Sequence, residues 1–119
     1  MRNVVVTGIG LVTCLGHTRE EVGNRLLNME HGFVRYPPFI SDSKVPISVA
    51  APISGFETVS TDPEDWTFPP ELRFRLEQLR GFSPNALYAN FALTRAVADA
   101  GLELDQISDS RTGLYTASS

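Results

Sequence analysis

The sequence predicts an α/β architecture around a buried, parallel-type sheet, and three observations carry that prediction. A β-branched run, Val4-Val5-Val6-Thr7, is closed by Gly8 and Gly10; a capped helix follows from Thr18; and a long alanine-rich helix after Ser83 leads into a second strand-like run, Thr112 to Ala117. Short continuous apolar strands alternating with helices are the pattern of a sheet covered on both faces.

Taken in order, Val4 to Thr7 reads as the first strand, because β-branched residues fit a pleated surface and the glycines end it. Thr18-Arg19-Glu20-Glu21 has the capping-box form, in which the Thr hydroxyl and the Glu carboxylate satisfy each other's free backbone N–H groups. Val22, Leu26 and Met29 then recur at helical spacing as one apolar stripe, with Gly32 as the expected stop. From Phe33 to Pro70 the rhythm dissolves. Seven of the eight prolines fall here, removing backbone donors and fixing φ, so 33–70 reads as a proline-rich irregular insert. Within it Pro46 to Ala50 alternates weakly and fits an edge strand.

Glu71 to Arg80 returns to a helical spacing, with Leu72, Leu76 and Leu79 on one side. Ser83-Pro84 is a strong start signal, the Ser as N-cap and the Pro where a missing N–H costs nothing. Ala86, Ala89, Leu93, Ala96, Val97 and Ala100 mark the expected buried stripe of this helix. Most are small, so a neighbouring backbone can approach closely. Gly101 suits the left-handed position after the helix, with Leu102 set to meet Val97 in a Schellman arrangement. Thr112 to Ala117 is the second expected strand. Two or three short strands and three helices cannot cover both faces of a parallel sheet, so the expectation is that further polypeptide completes this core.

Composition narrows the function. At 119 residues, with 42% apolar and 20% charged side chains, the chain has the make-up of one globular domain at most. A formal charge of −4 argues against non-specific nucleic-acid binding, which needs a net basic face. No apolar run approaches the roughly 20 residues needed to cross a bilayer. Cys14 has no second cysteine to bond, which fits a reducing cytoplasm.

Three motifs invite chemistry, and each has a plainer structural reading. Thr7-Gly8-Ile9-Gly10-Leu11-Val12-Thr13 approaches a dinucleotide fingerprint, but Thr13 stands at the third glycine and the helix begins late, so a tight turn is preferred. Cys14 with nearby His17 could form a nucleophile and base, yet nothing obvious activates the thiol, and a small buried hydrophobe is the better reading. His17 and His31 read as surface loop residues, and neither makes a metal site with Cys14 at a familiar spacing. Arg73, Arg75 and Arg80 could dock an acidic partner; the plainer reading is a solvated helix face paired locally with Glu71 and Glu77.

The run Val4 to Gly16 resembles the opening of the β-ketoacyl-acyl carrier protein synthases, and Thr18 to Leu27 is similar to that family's first helix. Ala96-Val97-Ala98-Asp99-Ala100-Gly101-Leu102 is similar to the family's A-x-x-D-A-G-L helix ending, and Arg111-Thr112-Gly113-Leu114 to the entry of its next strand. The resemblance covers nearly the whole chain apart from the proline-rich middle.

The resemblance implies the N-terminal part of a thiolase-like layered α/β fold, incomplete in this chain, in an enzyme of fatty-acid or polyketide synthesis that is usually a dimer. Family members load an acyl group onto a cysteine, decarboxylate malonyl-carrier with two histidines and join the fragments by Claisen condensation. None of those catalytic positions matches a residue of this chain, so it is expected to be inactive alone and to hold no cofactor or metal. The implied partners are the remaining synthase polypeptide and an acyl carrier protein, which family members receive through basic residues around the helix preceding the A-x-x-D-A-G-L helix. Arg80 falls there. A non-catalytic subunit resembling a chain-length factor is the alternative, so whether the protein is itself an enzyme stays open at this point.

Overall fold

The computed structural model describes residues 3–117. In chain order it holds helix α1 (Arg19–Leu27), strand β1 (Val34–Arg35), helix α2 (Pro37–Ser41), strand β2 (Val49–Ala50), a 3-10 turn at Pro63–Asp65, and helices α3 (Leu76–Leu79), α4 (Pro84–Ala100) and α5 (Leu104–Ile107). Helix α4 is the longest, and the core forms against one of its faces.

The local signals at helix ends operate as expected. Thr18 accepts a hydrogen bond from the Glu21 backbone, and the Glu21 carboxylate accepts from the backbone N–H groups of His17 and Thr18 at 3.0 and 3.2 Å. Ser83 caps α4 through the Ala86 N–H, with Pro84 at the first position. At the other end Gly101 adopts φ +64, and the Gly101 and Leu102 N–H groups reach Ala98 and Val97, the paired bonds of a Schellman motif.

Helix α1 stops before Gly32. Asn28 ends it and Met29 takes the left-handed position at φ +56, with Met29 and Glu30 donating to Leu26 and Arg25 in the same Schellman pattern. Gly32 has a different role, since a Cβ there would lie 2.5 Å from the Cys14 sulfur. Of the expected stripe Val22 alone is half-buried, whereas Leu26 and Met29 are exposed because no described residue covers that face.

The parallel sheet is not formed among the described residues. Val4 to Thr7 and Thr112 to Ala117 carry no ladder hydrogen bonds, and Val4 and Tyr115 are almost fully exposed. A strand exists only through its partner, and no described strand lies beside either run. The sheet that is present joins β1 to β2 antiparallel, pairing Val34 with Ala50 and Arg35 with Val49, and Tyr36 extends it by donating to Ser48. The edge strand expected at Pro46 to Ala50 is thus confined to its last two residues.

The core is aromatic, and much of it comes from residues between Ile53 and Phe82. Phe56, Leu72, Leu87 and Phe91 form its buried centre, with Leu87 and Phe91 0% and 1% exposed. Phe56 meets Phe91 and Tyr88 edge-on at 5.5 and 5.1 Å, and Phe74 meets Phe82 at 5.0 Å. Edge-to-face pairs add about 0.5–1.5 kcal/mol each beyond the area they bury. The helix expected from Glu71 is shortened to Leu76–Leu79. Over residues 72–75 burial alternates instead, Leu72 and Phe74 inward, Arg73 and Arg75 outward, which delivers two apolar side chains to the core from non-helical backbone.

The buried stripe of α4 is therefore Leu87 and Phe91, one step round from the expected one. Ala86, Ala89 and Leu93 face an open groove shared with Leu114 and Tyr115. Ala96 and Ala100 do receive a backbone at close range. A Cβ on Gly8 would lie 2.3 Å from the Ala96 carbonyl oxygen, and one on Gly10 would lie 1.8 Å from that of Ala92. Asp99 fastens this contact, its carboxylate accepting the Ile9 N–H at 3.0 Å and standing 4.0 Å from Arg19.

Three outcomes follow. Gly10→Ala drives a methyl into helix backbone that cannot yield, so denaturant titration should show a loss of about 3 kcal/mol or more. Met29→Gly relieves the left-handed strain at an exposed site and should raise stability by about 0.5–1 kcal/mol in the same assay. Hydrogen bonds from the His17 backbone, then from Thr18, hold the Glu21 carboxyl below its ordinary value. A depressed folded-state value means that this stabilisation is present above the unfolded carboxyl's pKa and fades as pH falls through the folded one. Melting temperature of Glu21→Gln against the parent should therefore differ at neutral pH and converge in acid.

Candidate functional site

The sequence places Arg80 at the boundary between α3 and α4, and the structure shows how that boundary is built. Gln78 turns its side chain back to accept the Arg75 N–H, which starts α3, and Leu79 is buried, which anchors it. Arg80 ends the helix with its N–H bonded to Leu76, and Gly81 and Phe82 donate to Gln78 and Leu79, turning the chain into the Ser83 cap of α4. The guanidinium is thereby carried outward on a fixed turn.

Arg80 does not pair with Glu71 or Glu77. Its Nη2 lies 2.9 Å from the Glu64 carboxylate, on the 3-10 turn. Glu71 pairs instead with Arg95 at 2.5 Å, and Arg95 also lies over the Phe91 ring at 5.1 Å. The Glu71 carboxyl is held below its usual value by its own backbone N–H and then by Arg95. Arg73 and Arg75 are exposed and, among the described residues, form no ion pair.

Glu64 is the residue that sequence reasoning passed over. It sits in a loop whose ends are joined by two backbone bonds between Glu57 and Thr67, at 2.7 and 3.0 Å. Inside, the Asp62 carboxylate caps the Glu64 N–H at 3.0 Å, Ser60 donates to Asp65 at 2.7 Å, and the Trp66 indole donates to the Ser60 carbonyl at 2.8 Å. The signal was present in Asp62-Pro63-Glu64-Asp65, a cap residue followed by proline and two acids, which is how a short helical turn begins.

The other candidates are placed apart from this surface. Cys14 is half-buried and lies against Gly32. His17 is not a surface loop residue: its ring packs edge-on to Phe56 and Phe91 at 5.7 Å each, and Nε2 lies 2.7 Å from the Ser54 carbonyl. A carbonyl only accepts, so Nε2 carries the proton, and Nδ1 is buried with no hydrogen-bond partner among the described residues. The core's aromatic faces drew this histidine in. His31 is exposed beside Phe33. No group of three or more His, Cys, Asp or Glu side chains among the described residues could hold a metal ion.

The glycine turn likewise has a structural task. Gly8 and Gly10 face the α4 backbone, and the tight turn itself lies at Thr13–Gly16, closed by reciprocal backbone bonds of 3.2 and 3.3 Å. Asp99, the acid in the A-x-x-D-A-G-L block, supplies the carboxylate that fixes this segment to the helix end. No described helix is long and apolar enough to cross a membrane.

The family model described as "Beta-ketoacyl synthase, N-terminal domain" matches residues 1–119. A curated relative, 3-oxoacyl-[acyl-carrier-protein] synthase 1 of Haemophilus influenzae, is 30% identical over 114 residues, which cover 96% of this chain and 25% of that protein. The chain thus spans about a quarter of the relative's length. No solved structure matches. A sequence matched from end to end by that family model belongs to the β-ketoacyl synthase family as an N-terminal domain segment.

Proposed function

We propose that this chain supplies the N-terminal portion of a β-ketoacyl synthase that joins an acyl group to a malonyl-derived unit in fatty-acid or polyketide chain building. The observation that carries the reading is the family match along all 119 residues, supported by likeness to a protein named as a 3-oxoacyl-carrier synthase. On this reading the described residues are part of the first half of a thiolase-like layered fold, with 33–70 as an insert on it. The enzyme works as a dimer in the cytoplasm.

The chemistry is assigned to polypeptide outside residues 1–119. There a cysteine thiolate takes the acyl group, the bond from the malonyl α-carbon to its carboxylate breaks with loss of carbon dioxide, and the resulting carbanion attacks the acyl thioester and expels the thiolate. Two histidines and an oxyanion hole stabilise the developing charge. Cys14 and His17 are committed elsewhere, to Gly32 and to the Ser54 carbonyl, which supports leaving them out of this scheme. Residues 1–119 contribute framework and, through Arg80, a contact for the acidic carrier. Position at the C-terminal end of α3, just before α4, and exposure of the guanidinium support that contact.

The test is condensation by the full-length polypeptide with acyl-carrier and malonyl-carrier. Carbon dioxide release with a 3-oxoacyl product is expected, and the 119-residue chain by itself should give neither. Failure of the full-length polypeptide to form product, or turnover by the short chain, overturns the assignment.

A further inference from the structure

The ion pair at Arg80 has a property that simple docking does not require: its partner sits on a loop held in shape by its own hydrogen bonds. Asp62, Ser60 and Trp66 brace the turn that carries Glu64, and the loop is closed at its base by Glu57 and Thr67. Between Glu57 and Asp65 there are four acidic side chains and no basic one. This loop offers Arg80 the same ligand that an acidic protein surface would offer.

We infer that Glu64 is an internal stand-in for a carboxylate of the carrier, so that docking at Arg80 proceeds by exchanging one carboxylate for another. The inference rests on the docking role proposed for Arg80. The pair is suited to exchange because its side chains are 63% and 51% exposed, and pairs this solvated are weak and readily displaced. Arg73 and Arg75, exposed on the preceding non-helical segment and outside any ion pair among the described residues, carry no such competitor. The device favours partners whose carboxylates outmatch Glu64 and lets weaker acidic surfaces pass.

The experiment is a titration of a fluorescently labelled acyl carrier protein into the full-length synthase, at low and at physiological salt. Arg80→Ala should weaken binding several-fold. Glu64→Gln should tighten it about two- to five-fold, more at low salt, which is the range that freeing one exposed ion pair allows. The double variant should bind no better than Arg80→Ala, because the gain acts through Arg80. Thermal melting checks that each variant stays folded. Weakening by Arg80→Ala with no gain from Glu64→Gln overturns the exchange while leaving docking intact. Unchanged binding in Arg80→Ala overturns docking itself and the exchange with it.

Discussion

The face of α4 that carries Leu87 and Phe91 is the constraint on which the other positions depend. Phe91 alone meets Phe56 and His17, from two distant parts of the chain, and Arg95 one turn further along α4. Full burial of a side chain of this size contributes about 1.5–3 kcal/mol, and truncation to Ala in such a setting costs about 3–5 kcal/mol. With that face occupied by aromatics, the adjoining Ala92, Ala96 and Ala100 are left to the narrowest possible neighbour, which is glycine backbone. The third face, Ala86 to Leu93, is left open. One helix thus has a bulky side, a tight side and an open side, and the order of the remaining elements follows from which of these each can fit.

Helix termini were legible in the sequence because their physics is local. The Thr18 box, the Ser83-Pro84 start and the Gly101-Leu102 stop each involve residues within about one turn, so spacing suffices to read them. The choice of buried face on α4 was not legible, because alanine is tolerated on any face and gives periodicity little to act on. Phe91 and Leu87 were separated from the alanine stripe only by partners distant in sequence. The segment from Phe33 to Pro70 misled for a related reason. Its prolines correctly announce sparse regular structure, yet Phe56, Trp66 and Phe68 give it much of the core. Proline content reports on hydrogen bonding and says nothing about burial.

The strands show the complementary limit. Val4 to Val6 and Leu114 have the composition of buried strands, and in the described residues they are exposed and unpaired. Both facts are consistent with one cause. β-Branched composition records the environment in which a segment is stable, and a ladder needs a second segment to create that environment. Under the proposed function that second segment lies in the rest of the synthase, and the close seating of Gly8 and Gly10 on α4 sets the line along which such a sheet begins.

The site at Arg80 was half legible. Its position between two helices could be read from Leu79, Gly81 and the Ser83 cap, but its partner could not, since Glu64 lies 16 residues away and reaches it only through a folded loop. The expected local pairing with Glu71 and Glu77 assumed a continuous helix. Because residues 72–75 are not helical and serve the core instead, Glu71 is out of register with α3 and meets Arg95. The same packing demand that shortened the helix thus left Arg80 to the acidic loop. Core packing and surface charge are linked here through backbone geometry: the aromatic cluster determines which carboxylate Arg80 meets and, under the proposed docking, what an incoming acidic surface has to displace.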